Sequence, residues 1–588
     1  MSEPRRFGPL LTDNGAAFRL WAPAARRVEL IERQRHEMQK LAGGWFEVTV
    51  TGARPGLRYR FRIDDEIEVP DPASRFQPDD VHGPSELTDP AFDWRAGDWK
   101  GLPWHHASIL ELHLGTFSEK GTFRGAIEKL DHVADAGFTA IELMPVADFA
   151  GRWNWGYDGV LLFAPDSAYG RPEDLKALID AAHLRGLMVL LDVVYNHFGP
   201  DGNYLGRYAP AFAAPAQTPW GSAIDYEVPE VRTFAIENAL TWLDDFRFDG
   251  LRLDAVHAII EPGRGLLLKE LSERAGALAT ATDRHIHLVL ENDDNETHLL
   301  DPKAEPPRGK YRAQWNDDYH HAFHVLLTGE TTGYYRDYRQ PARHVARTLA
   351  EGFAYQGEPS PHRGGATRGE PTRDTLALAF VNFLQNHDQI GNRALGERLT
   401  ALAPRAALDA ALAITLLAPM PPLLFMGEEW GAREPFPFFC DFSGELAEAV
   451  RQGRRKEFAE AYADPRSEVP DPLSEQTVRL ARLDWSAITK PEHRERLDWV
   501  RRLLAVRNEF IVPRLPELQT GPGEVQFDNE VLAARWKFRA GDTLSILANL
   551  SDQTKPLPSA LLAGEAIWGD RPGERLAAWS VHAAIGAP

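Results

Sequence analysis

The sequence predicts an α/β chain built on a (β/α)8 TIM barrel, with an N-terminal β-sandwich and a C-terminal β domain. Three observations point there. Eight short apolar, strand-like runs follow one another between residues 108 and 430, helical stretches separate the early ones, and turn-punctuated β text is confined to the two ends. A chain of 588 residues exceeds what one hydrophobic core organises, so several domains are expected. An open doubly wound sheet is the competing arrangement, and the count of eight runs favours closure.

The expected N-terminal domain spans 1–92, where FRLWAPAARRVELI (18–31), GGWFEVTVTG (43–52) and LRYRFRID (57–64) alternate apolar and polar residues between Gly, Pro and Asn. DPASRFQPDDVHGPSELTDP (71–90) has no helical period and reads as a linker laid over the next domain. The barrel is expected over 93–505, with strands in SILELHL (108–114), TAIELMP (139–145), LMVLLDVVYNH (187–197), FDGLRLDAVH (248–257), HLVLEN (287–292), RAQWND (312–317), AFVNFLQNHD (379–388) and PLLFMGEEW (422–430). RGAIEKLDHVADAG (124–137) and PEDLKALIDAAHLRG (172–186) carry the helical period. The last domain, 506–588, returns to β text at EVLAARWKF (530–538) and TLSILANLS (543–551).

A net charge of −21 disfavours nucleic acid and anionic membranes as partners and suits a protein handling neutral ligands. With Cys440 as the single cysteine, neither an intrachain disulfide nor a thiolate zinc cluster can form. The first residues lack the apolar core of a signal peptide, so a cytoplasmic location is expected. The uncharged stretch 410–427 is divided by three prolines, which favours a buried helix–strand connection over a membrane span.

Polar residues gather at the C-terminal ends of the expected strands: Asp192 to His197, Arg252 to His257, Glu291 to Asp294, Asp317 to His321, and Asn386 to Asp388. In a parallel barrel those ends open on one face, where loops build active sites. Strand alternation then aims Arg252 and Asp254 into the mouth while Leu251 and Leu253 pack outward. Three carboxylates and an arginine around a cleft suit glycoside hydrolysis, with one carboxylate ionised and a second protonated. Asp254, beside Arg252, is the expected nucleophile; Glu291, approached through HLVL and followed by Asp293 and Asp294, is the expected acid; Asp388 is the third. Trp153, Trp155 and Tyr157 are candidates for stacking on a sugar face.

The His pairs at 105–106 and 320–321 lack metal-ligand spacing, and polar substrate contact is expected of the second. RQGRRKE (451–457) reads as a solvated helix face, and 357–372 as a Pro/Gly-rich loop.

DVVYNH (192–197), GLRLDAVH (250–257), the Glu291 strand end and QNHD (385–388) together resemble, in order, the motifs of the α-amylase superfamily of glycoside hydrolases. The resemblance implies a retaining double displacement with Asp254 as nucleophile, Glu291 as general acid/base and Asp388 as transition-state stabiliser. It also implies that His197, Arg252 and His387 contact the sugar beside the scissile bond and that Tyr157 stacks on it. Residues 111–123, 141–160, 314–335 and 423–442 are similar to superfamily members that cut trehalose from the end of a maltooligosyl chain. The implied substrates are maltooligosyltrehalose and related α-glucans, with Asp317, Asp318, His320 and His321 lining the subsites of the leaving trehalose. Glycogen branching is the alternative activity, and a non-catalytic carbohydrate-binding protein the alternative class. Many α-amylases place the asparagine corresponding to Asn196 in a calcium site completed by a long acidic insertion. The segment 198–247 is short and has no dense acidic cluster before Asp225, so neither a required metal nor a cofactor is expected.

Overall fold

The computed structural model describes residues 5–218, 221–463, 468–557 and 564–586. Its centre is an eight-stranded parallel sheet in which each strand pairs with the next along the chain. The strands are β1 (Ile109–Leu112), β2 (Ala140–Leu143), β3 (Met188–Val193), β4 (Gly250–Leu253), β5 (His287–Leu290), β6 (Ala313–Trp315), β7 (Phe380–Val381) and β8 (Leu423–Phe425). β8 returns to β1, and the gap to β7 is closed by bonds from Asn382 N to Pro421 O and from Leu423 N to Asn382 O, both 2.9 Å. The sheet is thus a closed barrel, not an open doubly wound one.

Strands covered on both faces read as nearly continuous apolar runs, so a charge within them faces the interior or the mouth. The register sets Asp192 of β3 beside Arg252 of β4, while Leu251 and Leu253 are buried among the core residues. Outside the sheet, Leu175, Leu178 and Ile179 of the helix Pro172–His183 are buried at the spacing of one helical face. The uncharged 410–427 stretch is a helix, Arg405–Leu417, followed by β8. Among the described residues no helix is long and apolar enough to cross a membrane.

Two expected elements are divided. Residues 18–31 form the ends of two strands, Gly15–Trp21 and Val28–Ile31, in different antiparallel sheets of the N-terminal domain. Pro23 falls in the interruption, where a missing N–H and a fixed φ end the pairing. Residues 124–137 form two helices, Phe123–Ile127 and Leu130–Ala136, the second closed by Gly137 at a φ of 98°. Helical structure runs on through Glu517 before the C-terminal five-stranded antiparallel sheet begins at Glu524.

Candidate active site

At the C-terminal ends of the barrel strands lies a cleft of about 570 Å³, and Asp254, Glu291 and Asp388 all line it. Arg252 organises the first two. Its Nη1 donates to Asp192 Oδ2 (2.6 Å) and Asp254 Oδ1 (2.7 Å), and its Nη2 lies 2.9 Å from Glu291 Oε2. The guanidinium is buried and sits 4.1 Å from the centre of the Trp315 ring, which leaves these carboxylates as its charge partners.

The backbone turns sharply after the nucleophile candidate. Ala255 has a φ of 40°, a left-handed conformation unfavourable for a side chain with a Cβ, and its N–H thereby donates to Glu291 Oε2 at 2.8 Å. Asn196 donates from Nδ2 to the other Asp254 oxygen, Oδ2, at 2.8 Å. Both Asp254 oxygens are therefore occupied by donors.

The two carboxyls are driven in opposite directions. Burial alone would raise Asp254, but Arg252, the Asn196 bond and His197 outweigh it and hold its carboxyl below the usual range. Burial raises Glu291 well above the carboxylate range; Arg252 opposes that, and the negative charges of Asp254, Asp388 and Asp317 reinforce it. The surroundings thus favour the ionised form of Asp254 and the protonated form of Glu291.

The remaining site residues are linked through Tyr157. Its loop turns at Gly156, where φ is 107° and a Cβ would lie 2.1 Å from Pro145 O, so only glycine fits. The Tyr157 hydroxyl donates to Asp192 Oδ2 (2.6 Å) and is 2.8 Å from His387 Nε2, and the two rings stack at 5.2 Å. His197 Nε2 bonds the Tyr157 carbonyl at 3.0 Å. Asp388 sits in a short helix, His387–Gly391, capped by Asn386, and Asn392 Nδ2 donates to its Oδ1 at 3.0 Å. Trp155 lines the cleft beside Tyr157, stacked on Phe436, whereas Trp153 is outside the lining and covered by the Arg152 guanidinium.

Of the four residues expected along the far subsites, the structure brings two to the cleft. Asp317 and His321 line it; Asp318 and His320 do not. The run begins a helix, Asp317–Thr328, with Asn316 as its cap, and on a helix positions four apart share a face while those between turn away. Asp318 is fully buried, accepting from Arg368 Nη1 (2.6 Å), Asn295 Nδ2 (3.0 Å) and the backbone N–H of Ala354 (2.7 Å). His320 is buried behind the cleft, with its Nε2 3.0 Å from the Tyr335 hydroxyl. Burial, helped by Asp293 and Asp388, pushes Asp317 up to about 7.

Several cleft residues carried no signal in the sequence. RQGRRKE is not a wholly solvated face, because Arg454 and Glu457 of the helix Gly444–Glu457 line the cleft with Phe438, over which the Arg454 guanidinium packs at 4.5 Å. The Pro/Gly-rich loop supplies Arg363 and Arg368, which are tied to the end of β5 by bonds to Asp293 Oδ2 (2.6 Å) and Oδ1 (2.8 Å). Tyr334 completes that wall.

A closed parallel barrel that brings three carboxyls and a buried arginine into one cleft at its strand ends defines a glycoside hydrolase of the α-amylase type. Residues 91–211 match the family model of the alpha amylase catalytic domain, 6–76 that of carbohydrate-binding module 48 (isoamylase N-terminal domain), and 520–582 a domain of unknown function, DUF3459. The chain is 41% identical to a malto-oligosyltrehalose trehalohydrolase of Deinococcus radiodurans, covering 94% of this chain and 90% of that one. It is 40% identical to one of Saccharolobus solfataricus, covering 86% and 87%. A branching enzyme of Rubrobacter xylanophilus, at 36% identity, matches only 42% of the chain and 38% of its own. A Salmonella typhimurium crystal structure described as an alpha amylase superposes with a TM-score of 0.94 at 45% identity over 99% of this chain and 100% of that one. A Paenibacillus barengoltzii pullulanase shares the fold, with a TM-score of 0.72 at 20% identity over 100% and 95%. The chain belongs to the malto-oligosyltrehalose trehalohydrolase family.

Proposed function

We propose that the protein hydrolyses the α-1,4 bond between a maltooligosyl chain and a terminal trehalose, releasing trehalose. The observation that carries the chemistry is the single guanidinium of Arg252 contacting both Asp254 and Glu291 while their carboxyls are displaced in opposite directions from the ordinary carboxylate range. Asp254 attacks the anomeric carbon as Glu291 passes its proton to the departing trehalose oxygen, which leaves a covalent glycosyl-Asp254 ester and an ionised Glu291. Glu291 then takes a proton from water, the water oxygen displaces Asp254 from the same carbon, and the α configuration is restored. Asp388 faces the ring on which positive charge develops and favours that transition state. Tyr157, Arg252, His197 and His387 hold the sugar beside the bond, while Asp317 and His321 contact the leaving trehalose.

The identity of the substrate rests on the relatives that match nearly the whole chain. No metal or cofactor has a part in these steps, and a reducing compartment such as the cytoplasm suits a chain whose one cysteine, Cys440, is buried and unpaired. Incubation with maltooligosyltrehalose and, separately, with amylose tests the reading. Free trehalose without new branches is expected; α-1,6 branches without trehalose would establish transfer in place of hydrolysis.

A further inference from the structure

Glu111 is a buried carboxylate with no part in the bond-breaking steps. It lies on β1, and its two oxygens converge on one residue: Oε2 accepts the backbone N–H of His387 (3.2 Å), and Oε1 pairs with His387 Nδ1. The other ring nitrogen, Nε2, faces the Tyr157 hydroxyl at 2.8 Å, and that hydroxyl lies 2.6 Å from Asp192 Oδ2.

Counting protons along this chain assigns the state of the ring. A phenol has one proton to give, and here it points to the Asp192 carboxyl oxygen. The Tyr157 oxygen is left to accept, so Nε2 carries a hydrogen. Nδ1 faces the Glu111 carboxyl oxygen Oε1, which accepts when Nδ1 carries the second hydrogen. We propose that Glu111 is a positioning residue that holds His387 as an imidazolium, with Nε2–H fixed toward the Tyr157 hydroxyl at the wall of the sugar site.

The groups facing His387 divide in sign. Glu111 from β1 and the adjacent Asp388 favour the cation, whereas Arg252 from β4 opposes it; His113 after β1, itself lowered to about 4 by burial and by His387, stays neutral beside it. Trp155 and Trp315 pack their rings against it and contribute no charge. Burial works against the cation, Glu111 overcomes it, and the imidazole is raised above its ordinary range. With Nε2–H committed as the donor, the Tyr157 proton is committed to Asp192, and the Tyr157 ring is held within 25° of parallel to the imidazole as a flat wall of the cleft.

The activity part of the test rests on the hydrolase reading above; ring protonation is read without substrate, so the two can fail separately. In wild-type protein carrying ¹⁵N-labelled histidine at pH 7.5, both His387 nitrogens should show protonated shifts, the signal being assigned by its loss in His387→Gln. A neutral single tautomer would overturn the proposal. In Glu111→Gln the ring loses its carboxylate, so its pKa falls and it is neutral at pH 7.5. kcat/KM is then expected to drop about 10- to 100-fold, the scale of a lost hydrogen bond between charged groups. The deficit should narrow only as pH falls well below the ordinary imidazole value of about 6.5, because burial and Arg252 still oppose protonation of the ring. Glu111→Asp should recover part of the activity at pH 7.5. A deficit of the same factor at every pH would mean that Glu111 merely supports packing, contrary to the proposal.

Discussion

Replacing Arg252 with lysine keeps the charge and removes the fork. Arginine presents two nitrogens to three carboxylates, at 2.6 and 2.7 Å from Nη1 and 2.9 Å from Nη2. A lysine ammonium is a single point and satisfies one of them well. Two charge-assisted bonds are thereby lost or weakened, each worth about 1.5–3 kcal/mol, so kcat/KM should fall by about 3–6 kcal/mol, or about 10²- to 10⁴-fold. The sign of the pH effect follows from what Arg252 does to each carboxyl. It lowers both Asp254 and Glu291, so weakening it raises both. The acid limb of the kcat/KM profile, set by protonation of Asp254, moves to higher pH, and so does the basic limb, set by ionisation of Glu291. The assay is trehalose release across pH, on protein whose melting transition remains cooperative. Activity within threefold of wild type on unshifted limbs would refute the idea that one guanidinium sets both carboxyls.

Asp254→Asn removes the nucleophile while keeping its shape, so kcat should fall by several orders of magnitude with glucan binding by calorimetry retained. Glu291→Gln removes the proton donor, with an expected loss of about 10²- to 10⁴-fold on maltooligosyltrehalose and a much smaller loss on an activated aryl α-glucoside whose leaving group needs no proton. Arg368→Ala strips the fully buried Asp318 of its cation and Asp293 of a second, so unfolding in denaturant should show a loss of about 3–5 kcal/mol.

Strand alternation in DGLRLDAVH was enough to set Arg252 and Asp254 apart from Leu251 and Leu253, because a period of two is intrinsic to a strand and the apolar partners need the outer layer. At Asp317–His321 the resemblance assigned all four residues to the subsites with no period applied. There the chain has already left β6, and the period is that of a helix. Asn316 followed by two acids is a capping signal that could have placed the helix start and separated Asp317 and His321 from Asp318 and His320. Arg363, Arg368, Phe438 and Arg454 were beyond reach for a different reason. Loops have no period, and whether a basic residue in RQGRRKE faces water or the cleft depends on where β8 delivers the following helix. The partner of Glu111 was hidden too: alternation in SILELHL turns it inward, but only closure of β8 onto β1 brings His387, far along the chain, to meet it.

The most direct measurement follows maltooligosyltrehalose hydrolysis by proton NMR in its first minutes, reading product and stereochemistry together. Trehalose should appear in step with a shortened maltooligosaccharide whose new reducing end is the α anomer, the β anomer growing in only by later mutarotation. A new reducing end that is β from the start, or glucose in place of trehalose, would contradict attack by Asp254 at this bond.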